Sequence, residues 1–146
     1  MILRIAALIL AAGNIHAEFL RMEVSVTDMD CESCSVNLEG AFKRIRGVDK
    51  AEVDYKNRTV RLELAEKNRV GVEQVWDAVK RVGFTPGDTK VTVRGAVKGQ
   101  KLEVPETGKT YTIEGQSTEG DSVELAGTIT PPPDPRAAVV IRIAKR

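Results

Sequence analysis

Apolar and polar positions alternate through Val24 and Val26, and the period then turns helical through Cys34, Val36, Leu38, Ala41, Phe42 and Ile45. Gly47 stands where such a helix stops. Ala51, Val53 and Tyr55 alternate with charged residues, Lys56-Asn57-Arg58 makes a turn, and Val60, Leu62 and Leu64 alternate again. That pattern predicts a β-hairpin with one wet face. Helical spacing returns at Val72, Val75, Trp76, Val79 and Val82, with Gly71 or Asn68 as a cap and Gly83 as the stop. Strand signals resume after Phe84. The order β-α-β-β-α-β predicts an α+β, ferredoxin-like sandwich over residues 18–88, with two helices on one face of a four-stranded sheet.

Residues 89–146 carry no helical period. Val91 and Val93, Leu102 and Val104, Tyr111 and Ile113, Val123 and Leu125, Ile129, and Val139, Ile141 and Ile143 form alternating runs punctuated by glycines. Five or six strands with glycine turns predict a small all-β barrel. The PPPDP run at 131–135 reads as a rigid extended connection into the last strand. So short a piece is marginal alone and is expected to pack on the first domain.

Residues 1–17 have a different character. Arg4, an apolar run from Ile5 to Ala12 and small residues ending at Ala17 have the layout of a secretory signal peptide, too short to span a bilayer. A periplasmic or secreted protein is expected, with no stable membrane insertion once the leader is cut. Cleavage removes Arg4 and the single histidine, His16, and brings the net charge from +1 to zero. A neutral chain is a poor general partner for nucleic acid or anionic membrane. Without histidine, neither a Cys–His nor a Ser–His–Asp nucleophile can be assembled, so no enzyme and no catalytic residue is expected.

The chemistry that remains lies in MEVSVTDMDCESC, residues 22–34. Cys31 and Cys34 are the only cysteines and sit where a strand passes into a helix. A helix N-terminus offers unpaired N–H groups and a positive dipole end, which favours thiolate over thiol. Two thiolates three residues apart can close on one soft metal ion or on each other as a disulfide. As a structural staple so small a loop constrains the unfolded chain little.

Residues 23–86 resemble the heavy-metal-associated domain of metallochaperones, periplasmic mercury-binding proteins and the tails of metal-pumping ATPases. The resemblance is carried by Met29-Asp30-Cys31-Glu32-Ser33-Cys34, by GVDKAEVDYKNRTVRLEL at 47–64 and by VWDAVKRVGF at 75–84. It implies the same sandwich, with one metal ion held by Cys31 and Cys34 at an exposed loop and passed to a donor or acceptor protein such as a membrane transporter. It also implies that Phe84 packs beneath the metal loop. Where the family usually has glycine, this chain has Asp28, which makes the loop more acidic. The segments YTIEG at 111–115 and DSVELAGTI at 121–129 resemble small OB-type barrels of exported bacterial proteins. Tyr111 is the barrel's only aromatic, too few for a nucleic-acid stacking platform, so the barrel is read as structural or as a docking surface.

Asp30 has two readings. A carboxylate ahead of a first turn caps orphan N–H groups. Aspartate directly before the first cysteine also resembles the zinc- and cadmium-pump branch of the family, where it adds an oxygen ligand. Two thiolates in line suit Cu(I) or Hg(II), whereas Zn(II) or Cd(II) gains from a carboxylate. Met29 is expected as a buried prop and Trp76 as core. Lys43, Arg44 and Arg46 are expected as a solvated face, with docking of an acidic partner as the other possibility. The competing functions are a thiol–disulfide redox protein and an interaction module with a structural disulfide. Thioredoxin-like proteins typically place tryptophan before, and Gly-Pro between, their cysteines, and neither is present here.

Overall fold

The computed structural model describes residues 17–143. Of the expected leader, only Ala17 falls within them, and it is buried. Strand β1 (Glu18–Val26) turns Met22, Val24 and Val26 into the core. Helix α1 (Glu32–Lys43) covers them with Leu38 and Phe42. The hairpin of β2 (Val48–Asp54) and β3 (Thr59–Leu64) follows, and α2 (Val72–Val82) buries Val72, Val75, Trp76, Ala78 and Val79 on the same face. Gly83 ends α2 at a φ of 99°, its N–H on the Lys80 carbonyl while the Phe84 N–H reaches Val79. Only glycine takes that left-handed position without strain, so the sequence stop is a backbone requirement. Gly71 is the helix cap; Asn68 instead pins β1, donating from Nδ2 to the Phe19 carbonyl at 2.9 Å.

Val36 departs from the expected apolar series. It is 69% exposed, because α1 turns Leu38 and Phe42 inward and leaves position 36 outside. Among the described residues no helix is long and apolar enough to cross a membrane.

The sheet runs β2-β3-β1-β4 and does not stop there. Strand β4 (Pro86–Lys98) pairs with β1 up to Arg94, then with β5 (Lys101–Val104) from Ala96 onward. Its other edge pairs with β7 (Gly120–Ile129), while β6 (Lys109–Glu114) and β8 (Val140–Ile143) complete a closed barrel ordered β4-β5-β6-β8-β7. Strands β6 and β8 are parallel and the other neighbours antiparallel. The boundary expected between residues 88 and 89 therefore falls inside a strand common to both parts, and no linker separates them. Two glycines permit the tight closure. A methyl group at Gly95 would lie 2.7 Å from the Glu103 carbonyl oxygen, and one at Gly127 the same distance from that of Arg142.

The barrel also seals the start of β1. The rings of Phe19 and Tyr111 meet edge to face at 5.5 Å, and the Tyr111 hydroxyl donates to Glu73 of α2 at 3.3 Å. Burial, with the Glu73 charge behind it, pushes the Tyr111 hydroxyl far above its ordinary value, so it stays a neutral donor. The barrel's one aromatic is thus committed to packing. On the sheet face away from the helices, Lys50, Glu63 and Arg21 stand in one row across the strands, and Glu52, Arg61, Glu23 and Lys90 in the next. Every charge there has an opposite charge beside it, and Arg61 reaches Glu23 at 3.5 Å.

Candidate metal centre

The loop between β1 and α1 is held from both sides. Asp28 accepts the Thr85 N–H at 2.8 Å and the Thr85 hydroxyl at 3.0 Å, and the Thr27 N–H reaches the Thr85 carbonyl. These bonds hold the Asp28 carboxyl below its usual range, the Thr85 N–H first among the causes. Beneath them Met29 is fully buried, the prop the sequence suggested, and Phe84 packs on the core at the adjoining junction. On the other side the β2–β3 turn folds over the loop. The Tyr55 hydroxyl donates to the Asp30 carbonyl at 3.1 Å, and Arg58 donates to the Thr27 carbonyl at 3.2 Å.

This bracing sets Cys31 as the N-cap of α1 and Cys34 three positions into its first turn, with the Cys34 N–H on the Cys31 carbonyl at 3.1 Å. Both cysteines are free and half-buried. Cys31 Sγ shares a hydrogen bond with Ser33 Oγ at 2.9 Å. Hydrogen bonding from the Cys34 thiol, then from Ser33, draws the Cys31 thiol below its ordinary value, and the same contact pushes Cys34 up. The pair thus holds one proton more loosely than the other, and the anion forms at the helix dipole's positive end. Two thiols at this spacing can close on one soft cation, each giving up its proton.

Asp30 lies beside Cys31, but its carboxylate makes no hydrogen bond to a helix N–H. It pairs with Arg58 Nη2 at 3.3 Å, and the N-cap has no side-chain hydrogen bond. The capping role is therefore absent at Asp30. Among the described residues no three His, Cys, Asp or Glu side chains are gathered to hold a metal. Tyr55, Arg58 and Thr85 were not singled out from the sequence. Their approach follows from strand register: β3 pairs with β1 as Thr59 opposite Ser25, which carries the preceding turn over the residues that follow β1, and β4 pairs with β1 as Pro86 opposite Val26, which brings Thr85 alongside.

A model of the heavy-metal-associated domain matches residues 23–85. The copper chaperone CopZ of Staphylococcus haemolyticus strain JCSC1435 is 38% identical over 61 residues, 42% of this chain and 88% of that protein. The chain belongs to the heavy-metal-associated domain family. A solved CopZ metallochaperone is 29% identical over 45% of this chain and 97% of its own, with a TM-score of 0.42. Oxidised MerP from Ralstonia metallidurans CH34 is 20% identical over 47% and 93%, at 0.43. The match stops at residue 85, one residue before β4, the strand that completes the four-stranded sheet and also enters the barrel.

Proposed function

We propose that this protein captures one soft metal ion between Cys31 and Cys34 and hands it on by ligand exchange. The observation that carries this is the pair of free, half-buried thiols at the N-cap and third position of α1. Binding releases the thiol protons and forms two metal–sulfur bonds. Transfer proceeds when a thiolate of an acceptor adds to the ion and one of the two cysteines leaves. Since both sulfurs lie on an exposed turn, the acceptor reaches the ion without the fold opening.

The cargo is Cu(I), Hg(II), Zn(II) or Cd(II), and Asp30, next to Cys31 in the chain, is the carboxylate we assign to a divalent ion should one be taken. The acceptor is a second metal-binding protein such as a membrane transporter. Residues 1–17 support export to the periplasm or beyond. The barrel's strand order is that of OB-type barrels, and we assign it a structural or docking role. The protein is a carrier, not a catalyst.

The experiment is a competition titration of reduced full-length protein with each ion. One equivalent bound by the native chain and none by Cys31→Ser/Cys34→Ser is the expected result. A chain that ignores all four ions but reduces insulin disulfides belongs instead to the thiol–disulfide class.

A further inference from the structure

The β2–β3 turn reaches the metal loop with a positive charge, and the place it reaches is the carboxylate next to Cys31. Arg58 sits at the end of that turn in left-handed conformation, φ 52°. Its carbonyl accepts the Val26 N–H at 2.8 Å, which ties its backbone to the end of β1. From there the guanidinium forks. Nη1 donates to the Thr27 carbonyl and Nη2 pairs with Asp30 Oδ1. Tyr55, three residues earlier in the same turn, holds the Asp30 backbone through its carbonyl. Both ends of Asp30 are thus engaged by one turn.

Three carboxylates flank the cysteines, and they are not equivalent. Asp28 has both oxygens on Thr85. Glu32 is in the first turn of α1 and exposed. Asp30 directly precedes Cys31, and of the three carboxylates it is the one Arg58 occupies. An ion satisfied by two thiolates asks nothing of it. A divalent ion that needs more than two ligands must part Asp30 from Arg58 and settle near the freed guanidinium.

We propose that Arg58 is a positioning residue that sets metal preference, by holding the Asp30 carboxylate off the cysteine pair. This rests on the reading that Cys31 and Cys34 bind the ion. Both partners are largely exposed, Asp30 by 75% and Arg58 by 55%, so the device biases the choice and does not forbid either ion. An exposed pair of this kind is worth about a two- to fivefold change in an equilibrium. The guanidinium also favours both thiolates, whichever ion they hold, so its removal acts on all cargo in common. The specific signature is therefore the ratio of affinities.

The test is competition titration of the reduced full chain with Zn(II) and with Cu(I), using Arg58→Gln, Asp30→Asn and the double variant. In Arg58→Gln the Zn(II)-to-Cu(I) affinity ratio rises about two- to fivefold. In the Asp30→Asn background the same change leaves the ratio where it was. Arg58→Lys, which keeps the cation, stays near the native ratio, and thermal melts show that each variant is folded. Equal shifts for both ions, or an unchanged coupling after Asp30 is neutralised, overturn the role of Arg58 and leave the cysteine site standing. Undiminished binding by Cys31→Ser/Cys34→Ser would instead remove the site itself.

Discussion

Asp28 spends both carboxylate oxygens on a single residue, Thr85, so the segment after α2 is fastened to the cysteine loop by a two-point contact. The contact depends on ionisation. A folded-state value below the ordinary 3.8 means the contribution is fully present above about pH 4 and is lost as pH falls through the lowered value. Urea midpoints of native and Asp28→Asn protein should therefore differ at about pH 6 and draw together as pH falls below the ordinary carboxyl range. A constant gap across that range would place the effect of the substitution elsewhere.

The Phe19–Tyr111 contact separates packing from hydrogen bonding. Tyr111→Phe keeps the ring and loses the bond to Glu73, at about 1 kcal/mol. Tyr111→Ala opens a cavity at the seam between sandwich and barrel and should cost about 3–5 kcal/mol. Chemical denaturation of both variants gives the two values. Near-equal losses would mean that the hydroxyl, not the ring, holds the seam.

Arg61 stands between Glu52 on β2 and Glu23 on β1. Arg61→Glu sets three acids side by side and should destabilise by about 0.5–2 kcal/mol at low salt. Raising sodium chloride to about 1 M should recover much of that loss, because screening acts within a few ångströms there. Denaturation at two salt concentrations measures it, and a loss indifferent to salt would mean that the checkerboard contributes no electrostatic stability.

A shared β4 has a consequence for truncation. Ending the chain at Asp88 removes Thr89–Arg94, the residues that stand opposite Glu18–Val24. It also removes the Thr89 hydroxyl that accepts the Trp76 indole N–H at 2.9 Å. Residues 17–88 should melt without a cooperative transition and bind metal poorly, whereas residues 17–98 should retain the site. Calorimetry alongside a metal titration distinguishes them. Full binding by residues 17–88 would show that the sandwich closes without the rest of β4.

The sandwich was legible because its signals are local: Val60 and Leu62 alternate, Val75 and Val79 repeat at helical spacing, and Gly83 marks a stop that only its φ allows. The cysteine pair was legible for the same reason. The continuity of β4 was not, since Gly87-Asp88 has the composition of a turn yet lies within a strand. Val36 joined the apolar series in the sequence but faces solvent, as periodicity cannot tell which apolar residue a helix leaves outside. Arg58 and Thr85 act on residues far away in the chain, through register and a side-chain contact that no window of sequence contains.

Tandem carriers joined by flexible tethers tune encounter through tether length, which sets the local concentration one module experiences near the other. A strand that is simultaneously the last of one sheet and the first of another abolishes that adjustable length. The barrel is thus joined to the sheet that carries Cys31 and Cys34 through a paired strand and not through a free segment. Lengthening the chain at this junction would alter a register, not a reach.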